Sequence, residues 1–103
     1  MDNVSGHELN LEDLSNGSIL ALEALLAASS ANGHDFGFMD EARQRLSMSR
    51  HKFAGHISAL VALGAFYWTE DDPDYGVQFC LTAAVIGQQQ RVADYAKAVK
   101  ENG

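Results

Sequence analysis

Residues 46–66, LSMSRHKFAGHISALVALGAF, constrain the fold of this chain more than any other segment. After a polar start, apolar residues recur at helical spacing, and Gly64 follows where helices commonly end. The apolar residues are Phe53, Ile57, Leu60 and Val61. Ser49 is a candidate N-cap, because a serine side chain at that position accepts a hydrogen bond from a free amide of the first turn. The segment therefore predicts an amphipathic helix over about residues 49–63, with one face buried.

Small, polar or cationic residues occupy the start and the outward face of this helix. They are Ser49, Arg50, His51, Lys52, Gly55 and His56. A helix of this kind can lie in the major groove of DNA, where arginine pairs with two acceptors of guanine. We expect Arg50 and His51 to approach base edges, and His56, nearly two turns later, to reach the next base or a phosphate. Gly55 would let the backbone come close.

Phosphate contacts are expected from the cations around the helix start, because such contacts position a protein on DNA without reading its sequence. They are Arg43, Arg45 and Lys52. The amide groups of the helix N-terminus, with Ser49, are a further candidate for binding phosphate.

The charge distribution favours this interpretation more than the net charge does. The chain has 103 residues and a formal net charge of −7, which alone argues against nucleic acid. All fourteen Asp and Glu residues lie outside residues 42–69, however, and that window holds four of the seven Lys and Arg residues. Because salt screens charges beyond about 8–10 Å, a local basic patch on an acidic body is compatible with DNA binding. A solvated cationic face without a partner is the alternative.

The segments before this helix predict three further elements. Residues 1–14 predict a flexible arm whose last part packs against the domain or a second subunit, and residues 15–103 a single domain. A helix at about residues 17–31 would bury Ile19, Leu22, Leu25 and Leu26. A very short strand would follow, with Phe36 and Phe38 on one side. Asp40 would cap a second helix over about residues 40–47.

The segments after it predict a hairpin and a last helix. Residues 66–69 and 77–82 predict strands joined by an acidic turn, with Val77, Phe79 and Leu81 on one face. Thr82 would cap a helix over residues 83–100, in which valines recur every seven residues. That helix is expected to pack on its own domain and on a symmetry-related copy, so a homodimer through the terminal helices is predicted.

The order helix, strand, helix, helix, hairpin, helix predicts a mostly α fold with a small β-hairpin (α+β), a winged helix-turn-helix. The pattern Phe53-x3-Ile57-x2-Leu60-x3-Gly64-x-Phe66 resembles the recognition helix and first wing strand of MarR-like winged helix-turn-helix proteins. The resemblance covers roughly residues 18–82. It implies a sequence-specific protein that binds double-stranded DNA, either a dimeric transcriptional repressor or a binder of a plasmid or phage DNA site. In size the chain is also similar to TubR-like partition proteins.

The tip of the hairpin departs from the MarR-like pattern. MarR-like wings often carry a cation there, whereas this tip holds Glu70, Asp71, Asp72 and Asp74. Carboxylates are repelled by phosphates. One alternative is therefore a winged-helix module whose acidic wing and body bind a basic protein or mimic DNA. Another is a structural subunit with an obligate interface formed by Tyr67, Trp68 and the last helix.

Other classes of function have little support in the sequence. There is no P-loop, dinucleotide fingerprint or G-x-S-x-G motif, so we expect no enzyme activity and no cofactor. His51 and His56 lie about 140° apart around a helix, and Cys80 is the only cysteine, so no metal site is predicted. Without a membrane-spanning run or a signal peptide, a cytoplasmic location is expected.

Overall fold

The computed structural model describes residues 10–31, 36–72 and 76–102. Within them lie the helices α1 (Asn16–Ala31), α2 (Met39–Gln44), α3 (Arg50–Ala62), α4 (Ala83–Ile86) and α5 (Gln89–Asn102), and the strands β1 (Phe36–Phe38), β2 (Phe66–Asp72) and β3 (Gly76–Leu81). The architecture is mostly helical with a small antiparallel sheet. The predicted α+β class is confirmed.

Helix α1 lies at the centre of the core, where it packs against α2, α3, α5 and β1. Its start is capped by Ser15, whose side-chain oxygen accepts a hydrogen bond from the backbone amide of Ser18 at 3.2 Å. The leucines and the isoleucine predicted to face inward are buried, and Leu22 and Leu25 are fully so. The predicted bounds of this helix differ from the observed ones by one residue at the N-terminus.

The described strands form one sheet in the order β1-β3-β2, with both pairings antiparallel. Phe36 and Phe38 are half-buried on one face, as predicted, and Gly37 is buried on the other. A Cβ atom on Gly37 would lie 3.1 Å from the Phe79 ring and 3.2 Å from the backbone of Ala28. The glycine therefore allows β1 to approach α1 closely.

Strand β2 is longer than predicted, whereas β3 has the predicted length of six residues and begins one residue earlier. Strand β2 continues through Asp72, which pairs with Gly76, and the register shifts between Trp68 and Asp71. Val77, Phe79 and Leu81 alternate along β3 and so share one face, as predicted. Phe79 and Leu81 are buried, whereas Val77, near the start of the strand, is 40% exposed.

The acidic tip lies largely outside the described part of the chain. This applies to residues 73–75 and to the side chains of Glu70, Asp71 and Asp72. The sequence-based alternatives for the wing therefore stay predictions.

Thr82 does not cap the last helix with its side chain, contrary to the prediction. Its hydroxyl instead donates to the carbonyl oxygens of Gly64 at 2.7 Å and Ala65 at 3.0 Å. Its backbone amide also donates to the Ala65 carbonyl. Thr82 thereby ties the end of β3 to the loop between α3 and β2.

The predicted single helix over residues 83–100 is two helices. Helix α4 ends at Ile86 and α5 begins at Gln89, because the chain turns at Gly87 and Gln88. Val92 and Ala96 of α5 are fully buried, and Lys100 forms an ion pair with Glu23 of α1 at 2.8 Å. Packing of this segment on its own domain is confirmed, whereas packing on a second copy stays a prediction.

The packed structure begins before the predicted boundary at residue 15. A 3-10 turn spans Leu11–Asp13, and Leu11 is only 2% exposed within the core. The last part of the predicted arm therefore packs against the domain, as expected, while residues 1–9 lie outside the described part. Among the described residues, no helix is both long and apolar enough to cross a membrane.

Candidate nucleic-acid interface

Helix α3 begins and ends where the sequence predicts. The Ser49 side chain accepts a hydrogen bond from the amide of Lys52 at 3.2 Å, which confirms the N-cap. At the other end Gly64 has a φ of +78°, and the amide of Ala65 donates to the carbonyl of Leu60 at 3.0 Å. This is the glycine-dependent motif that satisfies the last carbonyl groups of a helix. Local chemistry alone therefore determines the length of α3.

The inner face of α3 is also as predicted. Phe53, Ile57 and Leu60 are buried, and Val61 is half-buried at the edge of the same face. Because these side chains enter the core, the opposite face of the helix must point to solvent.

The outward face of α3 consists of small and cationic residues. Arg50, His51 and Lys52 are exposed in the first turn. The exposed residues of the following turns are Ala54, Gly55, Ser58, Ala59 and Ala62. A Cβ atom on Gly55 would meet no other atom within 4 Å, so a flat partner could approach the helix backbone closely there.

His56 does not belong to this outward face, and its predicted placement there was wrong. Its ring nitrogen Nδ1 is 3.1 Å from the hydroxyl oxygen of Ser18, a side chain that is 3% exposed. A Cβ atom on Gly17 would lie only 2.2 Å from His56 Nε2, so the imidazole rests on the backbone of α1. His56 therefore joins α3 to α1 and is not directed at a ligand of the outward face.

Arg43 of α2 and Arg45, the C-cap residue of that helix, lie on different sides of it. Arg43 is half-buried and lines a groove together with Arg50, whereas Arg45 lies beside α1 and α5 and forms an ion pair with Glu41 at 3.4 Å. Arg45 is therefore separated from the other predicted phosphate-binding residues. Positions two apart in a helix point about 200° apart, and this spacing accounts for the separation.

The groove lies between α2, α3 and β2 and has a volume of about 440 Å³. Phe53 and Ile57 contribute its apolar floor, and Trp68 of β2 lines it with a side chain that is 47% exposed. The side chains of Arg43 and Arg50 line it without a hydrogen bond or ion pair to any residue that the structure describes. Two guanidinium groups without an ion-pair partner therefore line the groove beside the outward face of α3.

Asp40 and Trp68 are groove residues that the sequence reasoning missed. The prediction that Asp40 caps α2 is wrong: α2 starts at Met39, its N-cap residue is Phe38, and no side chain caps it. Asp40 instead lines the groove, with one carboxylate oxygen 3.2 Å from where a Cβ of Gly76 would be. No local signal could reveal this role, because the groove is assembled from three separate elements.

Comparison with other proteins adds no family assignment. No protein-family model matches this sequence, and neither a curated protein nor a solved structure matches it. Within the described ranges, no three His, Cys, Asp or Glu side chains are grouped as in a metal site.

Proposed function

We propose that this chain is a sequence-specific DNA-binding protein of the winged helix-turn-helix type, with α3 in the major groove. In this proposal it acts as a homodimer, either as a transcriptional repressor or as a binder of a plasmid or phage DNA site. The observation that carries the proposal is the outward face of α3, which is cationic in its first turn and has only small, uncharged residues in the later turns.

The order of elements supports a winged-helix arrangement. Helices α2 and α3 follow each other closely, and the β2–β3 hairpin comes directly after α3. The antiparallel pairing of β1 with β3 brings the strand before α2 beside the hairpin. In such a fold the second helix of the pair enters the major groove and the hairpin lies beside it.

In this proposal, the residues in and beside α3 contact different parts of the DNA. Arg50 and His51 would contact base edges from the first turn, where Arg50 would donate two hydrogen bonds to a guanine. Lys52, Ser49 and Arg43 would contact phosphates and fix the position of the helix. Gly55 would let the helix backbone approach the DNA groove, because a Cβ atom there has open space around it. His56 and Arg45 have no direct task in this proposal.

A homodimer would read two half-sites about one helical turn apart. If each subunit neutralises about three phosphates, the log–log dependence of affinity on salt should have a slope near −5. The surface of α5 that is not packed on α1 is the proposed contact between the subunits.

The test is an anisotropy titration of labelled random-sequence duplex DNA at two salt concentrations. The variants are Arg50→Gln and, as a control with the same change of charge, Arg45→Gln, which lies beside α1 and α5. We expect salt-sensitive binding that Arg50→Gln weakens and Arg45→Gln leaves nearly unchanged. Absence of binding by the wild type even at low salt would exclude the proposal, as would equal losses in both variants.

A protein-interaction module is the second candidate, and the exposed side chains of the hairpin favour it. Tyr67 is 53% exposed and Trp68 is 47% exposed on β2, and Val77 is 40% exposed on β3. Aromatic residues on an acidic hairpin suit a basic protein partner. Substitution of the tip acids by Asn and Gln should then abolish partner binding, while Arg50→Gln should leave it intact.

A further inference from the structure

The groove between α2, α3 and β2 is lined by charged side chains that lack a hydrogen bond or ion pair within the described residues, and by an aromatic ring. Arg43 and Arg50 supply two positive charges, Asp40 supplies a carboxylate, and Trp68 supplies a partly exposed aromatic ring. Two guanidinium groups, a carboxylate and a partly exposed indole line one concave surface with an apolar floor. This combination is typical of small-molecule sites, which are concave and mostly apolar with a few polar groups.

The position of Trp68 is held by the core. Its ring contacts that of Phe66 edge to face, with centroids 5.2 Å apart, and Phe66 is buried. A rigid indole beside the apolar side chains of Phe53 and Ile57 suits a flat aromatic group, because stacking and burial both contribute to affinity. The ligand should therefore contain a planar ring.

The two arginines favour an anionic group on the same ligand. Arginine prefers phosphate and carboxylate, which its parallel N–H groups bind in a bidentate manner. Inorganic phosphate alone would satisfy the arginines but would leave the apolar floor and Trp68 in contact with water.

Asp40 distinguishes among planar anions. A carboxylate accepts hydrogen bonds and repels other carboxylates, so a simple aromatic acid would leave Asp40 without a donor. Guanine presents two adjacent donors, N1–H and the exocyclic amino group, which match the two oxygens of a carboxylate. Adenine has an acceptor at N1 and cannot form this pair.

We infer that the groove binds a guanine nucleotide. The base lies against Trp68, its N1–H and amino groups donate to Asp40, and Arg43 and Arg50 donate to the phosphate. The volume of about 440 Å³ falls within the range of small-molecule sites, about 300–1,000 Å³.

Binding of the nucleotide would also regulate the chain, and this second part rests on the proposed function. Arg43 and Arg50 cannot contact a bound nucleotide and DNA at the same time. The nucleotide should therefore compete with DNA and weaken DNA binding in proportion to groove occupancy.

The site can be tested without DNA, because Trp68 is the only tryptophan of the chain and its fluorescence reports on the groove. The full chain is titrated with GMP, IMP, AMP, guanosine and inorganic phosphate, and the GMP affinity is checked by calorimetry. We expect saturable quenching of the Trp68 fluorescence by GMP. IMP, which lacks the amino group, and AMP should each bind about tenfold more weakly than GMP. Guanosine and phosphate should also bind more weakly than GMP.

Matched variants locate the site. Ala54→Leu places a larger side chain in the groove, whereas Ala59→Leu makes the same change at an exposed position of α3 outside it. Ala54→Leu should abolish the GMP response, and Ala59→Leu should retain it. Asp40→Asn should remove the preference for GMP over IMP. Arg43→Gln should lower the affinity for GMP, whereas Arg45→Gln should leave that affinity unchanged.

Each part of the inference has an outcome that overturns it. The absence of saturable GMP binding, or a GMP affinity unchanged by Ala54→Leu, would exclude the groove as a nucleotide site. Equal affinities for GMP and IMP would exclude guanine recognition by Asp40. If GMP binds but DNA does not, the site stands and the DNA-binding proposal fails; if both bind without competition, the regulatory part alone is wrong.

Discussion

The imidazole nitrogen Nδ1 of His56 lies 3.1 Å from the hydroxyl oxygen of Ser18, and this hydrogen bond joins α3 to α1. Ser18 also accepts a hydrogen bond from the hydroxyl of Ser15 at 3.1 Å, just before α1 begins. The three side chains form a polar junction at the edge of an otherwise apolar contact. Because α1 is the central helix of the core, this junction orients α3 relative to the rest of the protein.

We expect His56→Ala to lower the free energy of unfolding by about 1–2 kcal/mol, because it removes the hydrogen bond and the packing on α1. His51→Ala is the matched control, since His51 is exposed on the same helix. Urea denaturation followed by circular dichroism measures both variants. If they are equally stable, the junction does not contribute to stability.

Two glycine substitutions should have opposite effects. Gly17→Ala would place a methyl group 2.2 Å from His56 Nε2 and should destabilise the fold, because the imidazole must move. Gly55→Ala should stabilise it by about 0.5–1 kcal/mol, because the position is open and alanine favours a helix. Thermal denaturation of the two variants tests the signs, and destabilisation by Gly55→Ala would contradict the described position of α3.

A double-mutant cycle isolates the contact between Gly17 and His56. The loss caused by Gly17→Ala should largely disappear when His56 is already alanine, because the obstructing ring is gone. Additive effects of the two substitutions would indicate that the cost of Gly17→Ala arises elsewhere.

Thr82→Val should lower the free energy of unfolding by about 1–2 kcal/mol. The substitution keeps the shape of the side chain but leaves the carbonyl oxygens of Gly64 and Ala65 without the hydroxyl donor. Thr69→Val is the control, because its hydroxyl pairs with Gln78 on the exposed part of the hairpin. Equal stabilities of the two variants in urea would contradict the role of Thr82.

The DNA-binding proposal predicts a difference between Arg43 of α2 and Arg45, the C-cap residue of that helix. Arg43→Gln should reduce the magnitude of the log–log salt slope by about 2 for a dimer, because one phosphate contact is lost in each subunit. Arg45→Gln should leave the slope unchanged, since Arg45 lies beside α1 and α5. Salt titrations at matched DNA concentrations measure both slopes. A larger change for Arg45→Gln would place the DNA on the other side of α2.

The sequence by itself determined the elements whose signals are local. The length of α3 follows from Ser49 at its start and Gly64 at its end, and its buried face follows from the spacing of Phe53, Ile57 and Leu60. Strand β1 likewise follows from the alternation of Phe36 and Phe38 around Gly37. These features depend on groups within a few residues of one another, so periodicity and capping chemistry are sufficient to predict them.

The tertiary structure decided which side chains meet. His56 looks like an outward residue by its polarity, but α1 lies beside it and supplies Ser18 as a partner. Thr82 could have capped a helix, but the carbonyl groups of the loop between α3 and β2 lie within reach of its hydroxyl. In each case a distant segment offers a better partner than the neighbouring backbone does. Arg43, Arg50, Asp40 and Trp68 share one groove for the same reason, since only the packing of α2, α3 and β2 brings them together.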